Sequence, residues 1–283
     1  MSEGYLSPSI TQGLLKKLGH TPKRKLGQNF LIDANIVQKS LALADVHEGD
    51  SVVEIGPGLG TLTGALLNKG ARVYAVEYDT RLYNHLEESL LPKYPESLSL
   101  IHEDALKAPL ASLPQETALY KIVANLPYAI STPWLEKVLS EPNLPQCIVV
   151  MLQKEAADRF TAEPGTKSMG AISIFLNTVY EPVATHPVSH KCFYPQPDVG
   201  SVLLALKLKE KPFIFHKETK QLIRAFFTQR RKQIGALIRQ HKDVPQLRDW
   251  QDWLAANNLA DNLRSEALPI KAWQQLDIIL CQK

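Results

Sequence analysis

Asn125-Leu126-Pro127-Tyr128 directly follows the β-prone run Tyr120-Lys-Ile-Val-Ala124 and carries the most chemistry in the chain. Pro127 fixes its own φ and biases Leu126 toward an extended conformation, so the strand stops there and its last groups face a site. The Asn125 side-chain oxygen and a backbone carbonyl, that of Leu126, can together accept both protons of an exocyclic amine. The nitrogen lone pair then turns toward an incoming methyl group. Tyr128 offers a flat face for a base, worth roughly 1–3 kcal/mol. A plain structural turn is the competing reading of these four letters; their place at a strand end favours chemistry. A second turn follows at Ser131-Thr-Pro133, with Thr132 suited to cap a helix and Pro133 to begin it.

Amino methylation needs a methyl donor, and Ser51-Val-Val-Glu-Ile-Gly-Pro-Gly-Leu-Gly60 supplies a place for one. Four β-prone residues run into a glycine-rich turn, and Leu62, Leu66 and Leu67 continue at helical spacing. This is the first strand-turn-helix unit of a doubly wound α/β domain, whose ligands lie at the carboxyl ends of the strands. A site is expected from Glu54 to Gly60. A pyrophosphate-binding turn reads G-x-G-x-x-G. Here Gly56, Gly58 and Gly60 give G-x-G-x-G, which suits a nucleoside cofactor lacking a pyrophosphate, of which S-adenosylmethionine is the common one. Arg72-Val-Tyr-Ala-Val76 then ends in Glu77, about twenty residues past the first glycine, where a carboxylate can accept both ribose hydroxyls.

Two weaker candidates lie further along. Leu98-Ser-Leu-Ile-His102 runs into Glu103-Asp104, and Asp104 is placed to accept the amine of the cofactor's adenine; an exposed acidic loop is the alternative. Cys192-Phe-Tyr-Pro-Gln-Pro-Asp-Val-Gly-Ser201 is a proline-stiffened loop. It would hold Phe193 either as a second wall of a base pocket opposite Tyr128 or as a core residue.

The elements that must position these residues alternate as an open parallel sheet requires: strands 51–55, 72–76, 98–102, 120–124 and 146–152, with helices 61–69 and 80–90. Residues 1–25 read as a flexible basic lead with a short helix around Gln12–Leu18. Residues 26–207 read as the Rossmann-like domain, with Asp33 capping a helix that carries Ile36, Val37 and Leu41. Residues 170–180 read as core. A helix over Thr219–Gln240 puts Leu222, Ile223, Phe226, Phe227, Ile234, Leu237 and Ile238 on one face. Arg230 falls within that face and is expected to be partly buried and paired, with Arg224, Arg231, Lys232 and Arg239 toward solvent or RNA. Trp250, Trp253, Leu254 and Leu259 suggest another helix, so 208–283 reads as a small all-helical domain.

Composition narrows the class. At 283 residues, 45% hydrophobic and 22% charged, the chain can bury a full core. No apolar run approaches a membrane span and the N-terminus shows no signal core, so a cytoplasmic protein is expected. Cys147, Cys192 and Cys281 fit neither a disulfide framework nor zinc spacing, and no histidine is assigned a metal. The net charge of +3 is uneven: residues 1–206 hold 17 Lys+Arg against 21 Asp+Glu, and 207–283 hold 15 against 8. The first 25 residues add Lys16, Lys17, Lys23, Arg24 and Lys25 against Glu3. Basic arms flanking an acidic cofactor domain suit a polyanion gripped outside the pocket; solvated surface charge is the alternative.

Taken in order, these motifs resemble the rRNA adenine N6-dimethyltransferases, most closely their bacterial small-subunit branch. The match runs through Lys25-Leu-Gly-Gln-Asn-Phe-Leu31, Val53-Glu-Ile-Gly-Pro-Gly-Leu-Gly60, Glu77-Tyr-Asp79, Glu103-Asp-Ala105, Asn125-Leu-Pro-Tyr128 and Phe193-x-Pro-x-Pro-x-Val-x-Ser201. It continues into Gln229-Arg-Arg-Lys232 and Leu263-Arg-Ser-Glu-Ala-Leu268, covering nearly the whole chain. Gly200 replaces the Asp usual before Ser201, and Leu26 the commoner Phe. The resemblance implies S-adenosylmethionine contacts at Asn29, Leu31, Gly56, Gly58, Glu77, Asp104 and Asn125. Its implied product is two adjacent adenosines, dimethylated at N6, in the hairpin loop near the 3′ end of small-subunit rRNA. The substrate implied is an immature small subunit, met by a monomeric enzyme. A single-adenosine methyltransferase of large-subunit rRNA is the nearest rival, and a non-enzymatic RNA-binding factor on the same fold is another.

Overall fold

The computed structural model describes residues 7–23 and 27–281, in two compact units. The first runs through residue 157 and takes in 182–208; the second holds 158–181 and the residues from 209 onward. The expected single cut near 207 thus differs in one respect, because 158–181 joins the C-terminal helices.

In chain order the first unit begins with α1 (Pro8–Lys17), β1 (Phe30–Leu31), α2 (Ala34–Leu43), β2 (Ser51–Ile55), α3 (Thr61–Asn68), β3 (Arg72–Glu77) and α4 (Thr80–Ser89). β4 (Leu98–His102), β5 (Lys121–Asn125), α5 (Ser131–Val138) and β6 (Cys147–Gln153) follow, then α6 (Lys154–Phe160), which ends in the second unit. After α7 (Ala171–Val179) the chain returns through β7 (Tyr180–Val188), β8 (Phe193–Tyr194) and β9 (Ser201–Leu208).

One seven-stranded sheet has the order β4-β3-β2-β5-β6-β9-β7. Its first five strands are parallel, and β9 runs antiparallel to β6 over seven residue pairs. Val52, Val53, Val123 and Val149 are fully buried, as β-branched residues are in a strand covered on both faces. α3 is buried from Thr61 through Leu67, the hydroxyls of Thr61 and Thr63 included. The strand order reverses between β2 and β5, where ligands enter doubly wound sheets. There β2 pairs with β5 only at Val52 and Val53, while it keeps β3 through Ile55. The two central strands therefore part at their carboxyl ends and open a crevice.

The described part of the basic lead is folded rather than flexible. Ser7 caps α1, and Leu15, 3% exposed, packs with Phe30, Leu59 and Leu82. Arg24, Lys25 and Leu26, and Glu3 near the start, lie outside the described residues.

In the second unit, α8 (Lys217–Thr228), α9 (Ile234–Gln240), α10 (Leu247–Ala256) and α11 (Ile270–Cys281) pack around aromatic rings. Trp250 and Trp273 are fully buried with centroids 5.5 Å apart, and Phe226 lies 6.2 Å from each. Asp277 on α11 accepts from the backbone N–H of His216 at 2.9 Å, satisfying an otherwise orphan donor where α8 begins.

The continuous helix expected over Thr219–Gln240 is not present. It breaks after Thr228 and restarts at Ile234, because a second backbone takes up the intervening donors. Ile234 N–H donates to Leu263 O and Gly235 N–H to Asp261 O, each at 2.8 Å, and Gln233 bridges Arg264. Gly235 admits this approach: a Cβ there would stand 2.7 Å from the Asp261 carboxylate. Gln229-Arg-Arg-Lys232 and Leu263–Leu268, separate motifs in sequence, meet at this break. The helical wheel fails across it, and so does the placement of Arg230. That residue is exposed, with its guanidinium donating to Lys167 O at 2.8 Å, whereas Arg224 is half-buried 5.3 Å over the Phe175 ring.

Candidate active site

The crevice is a cavity of about 310 Å³ built from the strand ends: Glu54–Gly58 at the end of β2, Val76–Asp79 at the end of β3, Glu103–Leu106 after β4, and Asn125 and Pro127 at the end of β5. Gly27–Leu31 closes another side. Asn29, Leu31, Gly56, Gly58, Glu77, Asp104 and Asn125, the seven expected cofactor contacts, all line it.

The glycine turn is shaped by its neighbours. Gly56 and Gly58 adopt φ +65° and +61°, and a Cβ would lie 3.2 Å from Pro127 at the first and 3.2 Å from the Phe30 ring at the second. Glycine therefore brings the backbone between the Asn125–Tyr128 turn and the Gly27–Leu31 segment without a clash.

Two carboxyls sit deep in the cavity. Glu77, 5% exposed, accepts from Gly58 N–H at 3.0 Å and Asp79 N–H at 2.8 Å; burial raises its pKa while these bonds oppose the rise. With backbone N–H groups of Gly58, Tyr78 and Asp79 directed at it, the carboxylate still has acceptor capacity left for a ribose hydroxyl. Glu54, 1% exposed, lies in the expected site region, although its sequence position alone assigns it no role. Its Oε2 has no hydrogen-bond partner, and burial, with a smaller contribution from the Glu77 charge, pushes its carboxyl up to about 8. Such a group lacks the cationic partner that the α-ammonium of a methionine moiety would supply. The deep carboxyls and the glycine cradle both fit S-adenosylmethionine. Asp104, half-buried, accepts from Leu106 N–H through Oδ1 at 2.8 Å, leaving the other oxygen for an amine.

Asn125 reaches the cavity with its amide fixed, Nδ2 donating to Asn29 O at 2.8 Å. The Leu126 side chain is buried beneath. Tyr128, like Leu126, is not among the residues that line the cavity; it is half-buried beside the turn, its hydroxyl 2.7 Å from Ser201 Oγ, and burial raises its pKa. Phe193 does not line the cavity. At 1% exposure it belongs to the core, where β8 pairs with β1 in the register Leu31↔Phe193 and Ile32 N–H donates to Cys192 O at 2.9 Å. The strand pairing turns its ring inward, an outcome that two prolines in the loop do not foretell.

Beside the cavity lies an ionic latch that no motif in the sequence announces. Asp79, 5% exposed, accepts from Lys23 Nζ at 2.6 Å and faces His20 at 3.5 Å, while Gln28 Oε1 accepts from Lys23 N–H at 2.8 Å. Lys23, then His20, hold the Asp79 carboxyl below its ordinary value against the opposing effect of burial. The acid two residues past Glu77 was the available signal.

The chain matches the sequence profile of the ribosomal RNA adenine dimethylase family over residues 19–273. It belongs to that family. Among this dimethylase's relatives, "Ribosomal RNA small subunit methyltransferase A" of Opitutus terrae is 54% identical, covering 96% of this chain and 98% of that protein. The Bacillus pumilus protein of the same name is 36% identical, with 99% and 98% covered. A dimethyladenosine transferase from Plasmodium falciparum superposes with TM-score 0.70 at 26% identity, covering 87% of this chain and 95% of the other. The 23S rRNA methyltransferase ErmE shares the fold, with TM-score 0.65, 21% identity and 90% and 100% coverage. The fold is thus a Rossmann-like methyltransferase domain with a helical C-terminal part, and the enzyme is an S-adenosylmethionine-dependent rRNA adenine dimethyltransferase. Among the described residues no helix is long and apolar enough to cross a membrane.

Proposed function

We propose that this dimethylase converts two adjacent adenosines in the 3′-terminal hairpin loop of small-subunit rRNA to N6,N6-dimethyladenosine, acting in the cytoplasm as a monomer on an immature small subunit. Support for the subunit comes from the relatives named as small-subunit methyltransferases at near full-length coverage. The observation that supports the catalytic reading is that Asn125 lines one cavity together with the six other residues expected to contact the cofactor.

Bound in that cavity, S-adenosylmethionine supplies an electrophilic methyl on a sulfonium. Glu77 receives the ribose hydroxyls and Asp104 the adenine amine, with the Gly56–Gly58 backbone alongside. Adenine N6 is a poor nucleophile because its lone pair is delocalised, so the protein's task is orientation and charge stabilisation. Asn125 Oδ1 and the Leu126 carbonyl accept the two amine protons, direct the lone pair, and stabilise the positive charge that develops on nitrogen. Tyr128, pinned through its hydroxyl by Ser201, presents its ring to the flipped-out base. Phe193 acts from the core, holding the Leu31 strand in place. No general base is required in the transition state, since the alkylated ammonium loses its proton to water. The second methylation proceeds with one hydrogen bond fewer to the amine.

Methyl transfer from labelled cofactor to unmethylated small subunits tests this reading. Two neighbouring dimethyladenosines near the 3′ end are expected, with large-subunit rRNA unlabelled. Label confined to a single large-subunit adenosine, or none on either RNA, overturns it.

A further inference from the structure

We propose that the backbone carbonyl of Asn29 is the positioning group that sets the Asn125 amide for transfer, and that it is the reason this position holds an amide rather than a carboxylate. The inference rests on the assignment of Asn125 as acceptor for the target amine.

The two ends of an asparagine amide are nearly isosteric, and only their partners decide which way the group faces. At 2.8 Å from the Asn125 amide stands a carbonyl oxygen, which accepts and cannot donate. The NH2 must face it, so Oδ1 is turned to the other side as the free acceptor. A flipped amide would set oxygen against oxygen and offer NH2 to an incoming NH2.

The carbonyl is itself held in place. Asn29 Nδ2 donates to Gly27 O at 3.2 Å, and β1 immediately after it pairs with β8. Gly27, at φ +64°, lies so near the catalytic turn that a Cβ would stand 3.2 Å from Tyr128 N. The Gly27–Leu31 segment thus abuts the Asn125–Tyr128 turn at two points, one steric and one polar. A carboxylate at 125 would lose the polar one, because its oxygens cannot donate to Asn29 O unless protonated.

That difference can be read in a pH profile. The charged and titratable groups lining this cavity are Glu54, Glu77, Tyr78, Asp79, Glu103 and Asp104, with Lys23 and His20 against Asp79 and the Tyr128 hydroxyl beside the catalytic turn. The cavity carboxylates favour protonation of a further carboxyl placed among them. Single-turnover methyl transfer by Asn125→Asp and Asn125→Ala is measured from pH 5.5 to 8.5 and divided, at each pH, by that of the native enzyme, which removes the titration shared by all three.

The Asn125→Asp ratio is expected about 100-fold or more below native at pH 8, and to rise roughly 10-fold or more toward pH 5.5 as the carboxyl gains a proton to donate. The Asn125→Ala ratio stays low and flat. An Asn125→Asp ratio near one at pH 8, or as flat as that of Asn125→Ala, overturns the role of Asn29 while leaving the acceptor assignment standing. Substantial turnover by Asn125→Ala overturns both. If Asn125→Asp does not unfold cooperatively, amide exchange in the native enzyme decides. One Asn125 side-chain proton protected from solvent supports the proposal, and equal fast exchange of both overturns it.

Discussion

Glu54 is buried in the first unit with one oxygen unpartnered and a pKa near 8, and this fixes how its contribution to stability varies with pH. Below the ordinary value of 4.5 both folded and unfolded chains carry the proton. Between 4.5 and about 8 only the folded protein keeps it, so the contribution is lost as pH rises through that window. Glu54→Gln removes the titration. Its melting temperature relative to native should climb between pH 5 and 8.5, by the equivalent of a few kcal/mol at most; a constant offset would show that the carboxyl ionises normally. Asn125→Ala should abolish transfer while S-adenosylmethionine binding persists in weakened form, checked by calorimetry beside the turnover assay. Asn125, Glu77 and the glycines were legible in the sequence because each is adjacent to the strand that delivers it. Phe193 and the Asp79 latch were not, since their surroundings come from chain segments more than fifty residues away.

At the level of elements, the interruption between α8 and α9 determines what the basic motif does. With Arg230, Arg231 and Lys232 all exposed on the connecting turn, their combined replacement by Ala should weaken RNA binding and lower the salt slope by roughly 2–3, with little change in melting temperature. Arg224→Ala should behave in the opposite way, costing about 1 kcal/mol of stability through the lost ring contact and leaving the slope nearly unchanged. Filter binding across a salt series, with melts in parallel, separates the two. The apolar stripe on either side of the turn was readable, whereas the turn was not. Nothing in Thr228–Gln233 breaks a helix by itself; the backbone of Asp261–Arg264 does so by claiming Ile234 and Gly235. Periodicity detects a face but not a competitor for its hydrogen bonds.

For the molecule as a whole, the parallel strands, their order of appearance and the helical tail followed from hydrophobic runs and punctuating glycines. The reversal between β2 and β5 came with the doubly wound reading, but the extra strand β7 and the antiparallel placement of β9 beside β6 did not, because they depend on contacts between distant segments, and the unit that 158–181 joins was equally hidden. The uneven charge finds one physical expression in the latch between Lys23 and Asp79. Asp79 donates its N–H to Glu77, so the residue that holds the basic segment also braces the acid expected under the ribose. Lys23→Ala should therefore loosen cofactor binding several-fold as well as RNA binding; an unchanged cofactor Kd by calorimetry would disconnect them. A phosphate that draws Lys23 away enters the same equilibrium. Whatever factor the nucleic acid imposes on donor affinity, the donor must return to the nucleic acid in equal measure. Product release and substrate capture would then be two readings of one shared lysine.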